Sequence, residues 1–272
     1  MARLARMLCM SKLPEHPKKR NVKTKRIVSI ITLLLVILTS GVLIFFYKVE
    51  NTISSARENA TATPQHETPI STGQSIIKPL FSDDFSDVSK GWAVGSASGY
   101  TRVISNNTLT LANENHTTLT ESLPTNLTFD NFSLTVAFTL VQATAGDSVG
   151  LYVRGDTNLD HDYRIDFYGN SVYAITKEYL DKQNFPQESS LQPSAFTSSL
   201  RPVGEQNMVT VMMKGPDMEL IINKKVIKSI TDYDYTSGQI ALFVHNSLAS
   251  NEVEAAFSSV VVFPLPTITP TP

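Results

Sequence analysis

Cysteine is almost missing from this chain: Cys9 is the only one in 272 residues. A disulfide-stapled fold and a multi-cysteine zinc site are therefore excluded. Charged residues are also sparse, at 18% against 42% hydrophobic, a balance that suits a packed core rather than disorder. Tryptophan occurs once, as Trp92, and the five histidines fall at no metal-ligand spacing. The formal net charge is only −2, but this total hides a division. Residues 1–47 carry nine of the 23 basic residues (Arg3, Arg6, Lys12, Lys18, Lys19, Arg20, Lys23, Lys25 and Arg26) and one of the 25 acidic ones, Glu15, giving +8. The remaining 14 basic and 24 acidic residues leave −10 for everything after Tyr47. A body of that sign lacks the basic stripe of a nucleic-acid-binding surface, so no nucleic-acid partner is expected.

What the chain does have is one long apolar run. Ile27 to Tyr47, IVSIITLLLVILTSGVLIFFY, holds 21 residues without a charge. As a helix rising about 1.5 Å per residue it would be roughly 31 Å long, matching a hydrocarbon core of about 30 Å. Phe45, Phe46 and Tyr47 place an aromatic edge at its end. The basic segment Lys18–Arg26 precedes the run, so the positive-inside bias predicts a cytoplasmic N-terminus, residues 1–26, and an extracellular C-terminal part. The run is longer than the 7–15 apolar residues of a signal peptide, and no small-x-small site follows Tyr47 directly. An uncleaved signal anchor over 27–47 is expected rather than a cleaved leader. The 26 residues before it are too few for a catalytic domain.

Residues 48–79, rich in Ser, Thr, Gln and Glu with Pro64, Pro69 and Pro79, read as a linker, and 265–272 as an extended Pro/Thr tail. Between them, residues 80–264 alternate with a period of two almost throughout. Phe132, Leu134, Val136, Phe138 and Leu140 alternate with small polar residues. Val149, Leu151 and Val153 form a second such run, and Tyr163, Ile165 and Phe167 a third. Further strands are expected at 100–104, 108–112, 172–176, 209–213, 218–222, 226–230, 239–244 and 253–263, with turns at Asn106-Asn107, Gly169-Asn170, Gly215-Pro216 and Asn223-Lys224. No amphipathic helix interrupts them. The pattern predicts an all-β, two-sheet antiparallel jelly-roll sandwich, with two smaller sandwiches as the alternative.

The domain opens Phe81-Ser82-Asp83-Asp84-Phe85-Ser86-Asp87, then Gly91-Trp92. Val149-Gly150-Leu151-Tyr152-Val153-Arg154, Tyr163-Arg164-Ile165-Asp166-Phe167, Met218–Asn223 and Gly238–Phe243 follow in order. This succession resembles the concanavalin A-like lectin/glucanase superfamily, in particular bacterial membrane-tethered members related to laminin-G-like and keto-disaccharide hydrolase domains. The resemblance implies a jelly roll that often binds glycans, sometimes with calcium, and sometimes hydrolyses them. It also implies Asp83 and Asp84 as calcium ligands. The turn that such domains write Asn-Gly is Asn223-Lys224 here, which leaves that hairpin's turn type open.

Hydrolysis needs two carboxylates flanking the scissile bond. The superfamily's glucanases carry them as Glu-x-Asp-x-x-Glu, and no Glu in this chain is followed two positions later by Asp. Calcium is the one cofactor that the residues themselves suggest. Asp156, Asn158, Asp160 and Asp162 alternate like the first half of a calcium loop, but His161 stands where the turn Gly belongs and Phe167 where the bidentate Glu belongs. The plain reading of the same residues is a polar hairpin loop. If Leu151 and Ile165 face the core, Tyr152, Arg154, Arg164, Asp166 and Tyr168 share the opposite face. Sugars bind where an aromatic ring covers C–H faces and planar charged groups take hydroxyl pairs. The same residues also describe a solvent face with an Arg154–Asp166 cross-strand pair. Trp92 is either core packing or a ligand platform.

The expected function is a membrane-anchored extracytoplasmic module binding a glycan or cell-surface ligand. A structural or sensory ectodomain acting through protein partners and a tethered glycoside hydrolase are the alternatives.

Overall fold

The computed structural model describes residues 77–266. The expected span 27–47, its flank and most of the linker lie outside the described residues. Among those described, no helix is long and apolar enough to cross a membrane.

Fifteen strands follow one another: β1 (Phe81–Asp83), β2 (Gly95–Ala97), β3 (Tyr100–Ser105), β4 (Thr108–Asn113), β5 (Thr118–Ser122), β6 (Phe132–Gln142), β7 (Ser148–Gly155) and β8 (Asp162–Tyr168). Then come β9 (Val172–Leu180), β10 (Pro186–Phe196), β11 (Gln206–Lys214), β12 (Asp217–Ile222), β13 (Lys225–Thr231), β14 (Gln239–His245) and β15 (Val253–Pro264). A single 3₁₀ turn, Val88–Lys90, is the only helical element among the described residues. The larger sheet runs β13-β12-β11-β6-β15-β4-β3-β2, with β1 beside β15, and the smaller runs β10-β9-β8-β7-β14-β5. Every pairing is antiparallel.

The period of two sorts each strand between a dry and a wet face. Along β6, Phe132, Leu134, Val136, Phe138 and Leu140 are buried while the residues between them are half-buried. The inner faces of the two sheets share one continuous core, in which Phe138 of the larger sheet meets Phe167 of the smaller at 5.6 Å between ring centroids. One sandwich, not two, results. Each such buried Leu, Val or Phe contributes roughly 1.5–3 kcal/mol.

Asn106-Asn107 and Asn223-Lys224 both take left-handed φ, 51° and 56° in the first turn, 49° and 71° in the second. That is the mirror-image turn whose twist suits a two-residue hairpin. Lys224 therefore accepts the conformation usually given to Gly. Asn223 fixes the turn by donating Nδ2 to the Ser199 carbonyl at 2.7 Å and Asn207 Oδ1 at 2.8 Å.

The outer face of the smaller sheet carries a second, small apolar cluster: Tyr152, Ala241 and Phe243, with Leu159 against them. Gly150 makes room for it. A Cβ there would sit 2.3 Å from the Phe243 ring and 2.2 Å from the Ile165 carbonyl oxygen. The Phe243 ring thus lies close on the sheet, with the Arg164 guanidinium over it.

Candidate functional site

On the outer face of the smaller sheet, β8 supplies Arg164, Asp166 and Tyr168, β9 supplies Thr176 and Glu178, β10 supplies Glu188, and β14 supplies His245. These side chains wall a cleft of about 250 Å³. The pleat brings them together: Arg164 lies opposite Thr176, and Glu178 lies between Asp162 on one side and Glu188 on the other.

Arg164 is the hub. Its Nη2 donates to Asp166 Oδ1 at 3.0 Å and its Nη1 to Glu178 Oε1 at 3.3 Å, while its guanidinium carbon sits 4.8 Å from the Phe243 ring centroid. Asp166 Oδ1 also accepts from Ser148 Oγ at 2.7 Å. Burial alone would lower the pKa of the Arg164 guanidinium, but the charge and hydrogen bond of Asp166, with Tyr152 and Glu178, together more than offset this, so the group is raised and stays cationic. Burial raises the Glu178 carboxyl against the pull of Arg164. His245 is lowered by burial and then by the Arg164 charge, so its imidazole is neutral at pH 7 and takes up a proton only in more acidic solution. Burial and then Asp166 raise the Tyr168 phenol, which keeps its proton. The cleft therefore offers carboxylate acceptors, a planar cationic donor, a neutral imidazole and an aromatic ring.

Of the five face residues expected from the sequence, Arg164, Asp166 and Tyr168 converge here. Tyr152 lies on the same face but is buried, stacked at 4.8 Å on Phe243 beneath Arg164, and supports the cleft rather than lining it. Arg154 is a correction. Val153 pairs with Ile240 and Gly155 with Gln239, so Arg154 is the extra residue of a bulge, with φ 54°. Its buried guanidinium turns to the end of the sandwich and donates to the Tyr235 carbonyl at 2.9 Å and the Asp130 carbonyl at 2.6 Å. The expected Arg154–Asp166 pair is replaced by Arg164–Asp166, two residues apart on one strand. Of the two readings of Trp92, core packing is the one found and the ligand platform is not: it is 4% exposed, packs on Phe81 and Phe85, and donates Nε1 to Asp83 Oδ2 at 2.7 Å.

The residues expected to hold calcium do not fit a calcium ion. Asp83 Oδ1 accepts the Phe85 amide at 2.8 Å, and Asp84 Oδ1 accepts both the amide and hydroxyl of Ser86. Asp156 accepts the amides of Asn158 and Asp160 and pairs with His161 Nδ1 at 2.9 Å. These carboxylates close turns on their own backbone. Asn158 and Asp160 belong to that closed loop, and among the described residues no three His, Cys, Asp or Glu side chains stand together to hold a metal. Asp162 is different: it is fully buried, and neither carboxylate oxygen has a hydrogen-bond partner. Burial, then the charges of Glu178 and Asp156, push it up to about 8.

Sequence reasoning missed Glu178, Glu188, Thr176 and His245. Strand β9 continues past Thr176 to Leu180, and β10, PQESSLQPSAF, is a polar edge strand whose two prolines read as loop. The available signal was the alternation itself: Ala174, Thr176 and Glu178 stand at every second position.

No curated protein matches the sequence of this chain. Among solved structures the domain is similar to a glycoside hydrolase family 16 endo-glucanase from Bacteroides ovatus, at 11% identity and TM-score 0.52, covering 67% of this chain and 99% of that one. It is similar to an endo-β-galactosidase from Clostridium perfringens that releases GlcNAcα1-4Gal, at 13% identity and TM-score 0.50, covering 76% of this chain and 66% of that one. A third similar structure is the carbohydrate binding module CBM66 from Bacillus subtilis, at 13% identity and TM-score 0.48, covering 64% of this chain and 95% of that one. At such identities the likeness shows the fold alone. Residues 77–262 match the 3-keto-alpha-glucoside-1,2-lyase-like domain, and the chain belongs to that family.

Proposed function

We propose that this chain is a single-pass membrane protein, with its N-terminus in the cytoplasm, that presents a glycan-binding jelly roll outside the cell. The observation that carries the binding half is the cleft: Arg164, Asp166, Glu178 and Glu188 face the same small volume as the Tyr168 ring. Sugar hydroxyls both donate and accept, so a site mixing a guanidinium with carboxylates suits them better than it suits an anion. The three acids outweigh the single Arg, which disfavours polyanions. The family and the sugar-active neighbours support the same reading.

A panel of gluco-, galacto-, manno- and N-acetylglucosamine saccharides of one to six units, titrated into the detergent-solubilised full chain, tests it. At least one series is expected to bind, and Tyr168→Ala to weaken it tenfold or more, a loss of about 1.4 kcal/mol. Absence of binding throughout would overturn the reading.

The anchor rests on the uncharged run Ile27–Tyr47 and its basic flank. The lone thiol supplies a topology test without engineering. A membrane-impermeant maleimide is expected to leave Cys9 unlabelled in intact cells and to label it once they are permeabilised; labelling of intact cells would reverse the orientation.

One observation favours bond cleavage as a second reading. Glu178 is raised by burial, beside Asp166 and Glu188. A carboxyl raised above its usual range beside a second carboxyl is how acid and base roles are divided between two acids. Product release from the bound saccharide, lost in Glu178→Gln, distinguishes this from binding alone.

A further inference from the structure

The cleft does not end at Glu188. A second groove of about 110 Å³ shares Glu178 and Glu188 with it and continues along Tyr179, Leu180, Pro186 and Gln187 at the tip of the β9–β10 hairpin. A third, of about 520 Å³, shares Tyr179 with the second and is walled by Lys177, Ser189, Asp234 and Tyr235. Successive residues of β9 point to opposite faces, so Glu178 looks into the cleft while Lys177 and Tyr179 look the other way. Through these shared walls the three hollows adjoin in one track, which leaves the outer face of the smaller sheet between the tip of the β9–β10 hairpin and Leu159 and Asp160 of the β7–β8 connection. Its far end lies against the segment Asp232–Tyr235 that follows β13.

We propose that this track takes an oligosaccharide chain, with one end in the Arg164 cleft and the other on Tyr179 and Tyr235. The inference rests on the glycan reading of the cleft and adds the length and path of the ligand. The cleft alone is smaller than the roughly 300–1,000 Å³ of sites that enclose a drug-sized molecule, whereas the joined grooves reach the upper part of that range. Chemistry along the track is of one kind. Tyr179 and Tyr235 supply half-buried rings, and Ser189, Lys177 and Asp234 supply hydroxyl, ammonium and carboxylate.

The far end is also held in shape before any ligand arrives. Lys177 Nζ donates to Asp232 Oδ2 at 2.8 Å and to Asp234 Oδ2 at 2.5 Å. Tyr235 donates its hydroxyl to the Glu178 carbonyl at 2.8 Å and packs at 5.1 Å on Tyr163. Tyr163 in turn donates to Asp232 Oδ1 at 2.7 Å. Side chains already fixed by such bonds lose little freedom on binding, which leaves more of the contact energy as affinity. Because Tyr235 bonds the backbone of Glu178, the two ends of the track are tied through one residue of β9.

The test uses the same saccharide panel and the full chain. Affinity is expected to climb tenfold or more between two and five units in the series that binds. Tyr179→Ala should abolish that climb while leaving the shortest bound member unchanged, and Tyr179→Phe, which keeps the ring, should preserve it. Affinity that does not change with length, or a Tyr179→Ala loss equal at every length, would overturn the extended path while leaving the cleft intact. The wild-type length series decides between these outcomes even if Tyr179→Ala does not fold. Failure of every series at every length would instead overturn the glycan reading from which the track follows.

Discussion

Asp162→Asn is expected to stabilise the domain at pH 9 by about 3 kcal/mol and to flatten its stability between about pH 4 and pH 8. The folded carboxyl holds its proton up to about pH 8. In the unfolded chain an aspartate releases it near 3.9. Across the window between these values the folded state binds more protons, so raising the pH favours unfolding. The stability this group contributes is fully present below about pH 4 and is lost as the pH rises through about 8. Four units amount to roughly 5 kcal/mol, and burying an amide without partners returns about 1–2 of that. Trp92 is the only tryptophan and lies buried in this domain, so its fluorescence reports the unfolding of the jelly roll alone. Denaturation at pH 5, 7 and 9 should give wild-type and Asp162→Asn curves that diverge as the pH rises. Parallel pH dependence in the two proteins would show that Asp162 is ionised throughout.

The cause of this behaviour is a row of acids. Asp162, Glu178 and Glu188 stand directly opposite one another on β8, β9 and β10, and like charges so placed repel. Arg164, two positions along β8, compensates Glu178 and Asp166 but makes no hydrogen bond to Asp162. Asp162 is the member of the row deepest in the sheet, so it is the one that stays protonated.

How far this was legible in the sequence follows from what makes each feature local or not. Alternation of Phe132, Leu134, Val136, Phe138 and Leu140 is a property of one strand, and it names both the strand and its buried face. Placing Arg164, Asp166 and Tyr168 on the wet face required only that Ile165 be dry. The other half of the cleft depended on pairing. Glu178 and Glu188 become site residues because β9 and β10 lie beside β8, and nothing local in PQESSLQPSAF marks it as an edge strand. Arg154 fails for a related reason: a one-residue bulge set by Gln239 and Ile240, more than eighty positions away, rotates it off the face. Trp92 reads as core with a platform as the alternative, and the indole N–H accepted by Asp83 decides for core. The expected calcium loop has the right spacing, but Asp156 at its start already accepts two backbone amides on Oδ1, and spacing does not report that competition.

Arg164→Met is expected to cost about 3–5 kcal/mol at pH 8, the usual penalty for removing one partner of a buried ionic group. Its side chain is only 16% exposed, and its loss leaves Asp166 and Glu178 without a countercharge. A cation over the Phe243 ring is lost as well, worth about 0.5–2 kcal/mol within that total. The sign of the pH dependence separates this from simple loss of packing. Glu178 is already raised by burial against the pull of Arg164, so without that charge it rises further in the folded state, acid stabilises the variant, and its deficit should shrink toward pH 5. Arg164→Lys retains the charge but not the planar fork that reaches Asp166 and Glu178 together. It should therefore cost only about 1–2 kcal/mol in stability and still lose the saccharide affinity of the cleft. Denaturation followed through Trp92 at pH 5 and pH 8, with saccharide titration of the Lys variant, makes the comparison. An equal loss for Met and Lys, or a Met deficit independent of pH, would place Arg164 among the packing residues. A shrinking Met deficit with a stable, non-binding Lys variant would identify the guanidinium as the group that both neutralises the acid row and grips the ligand.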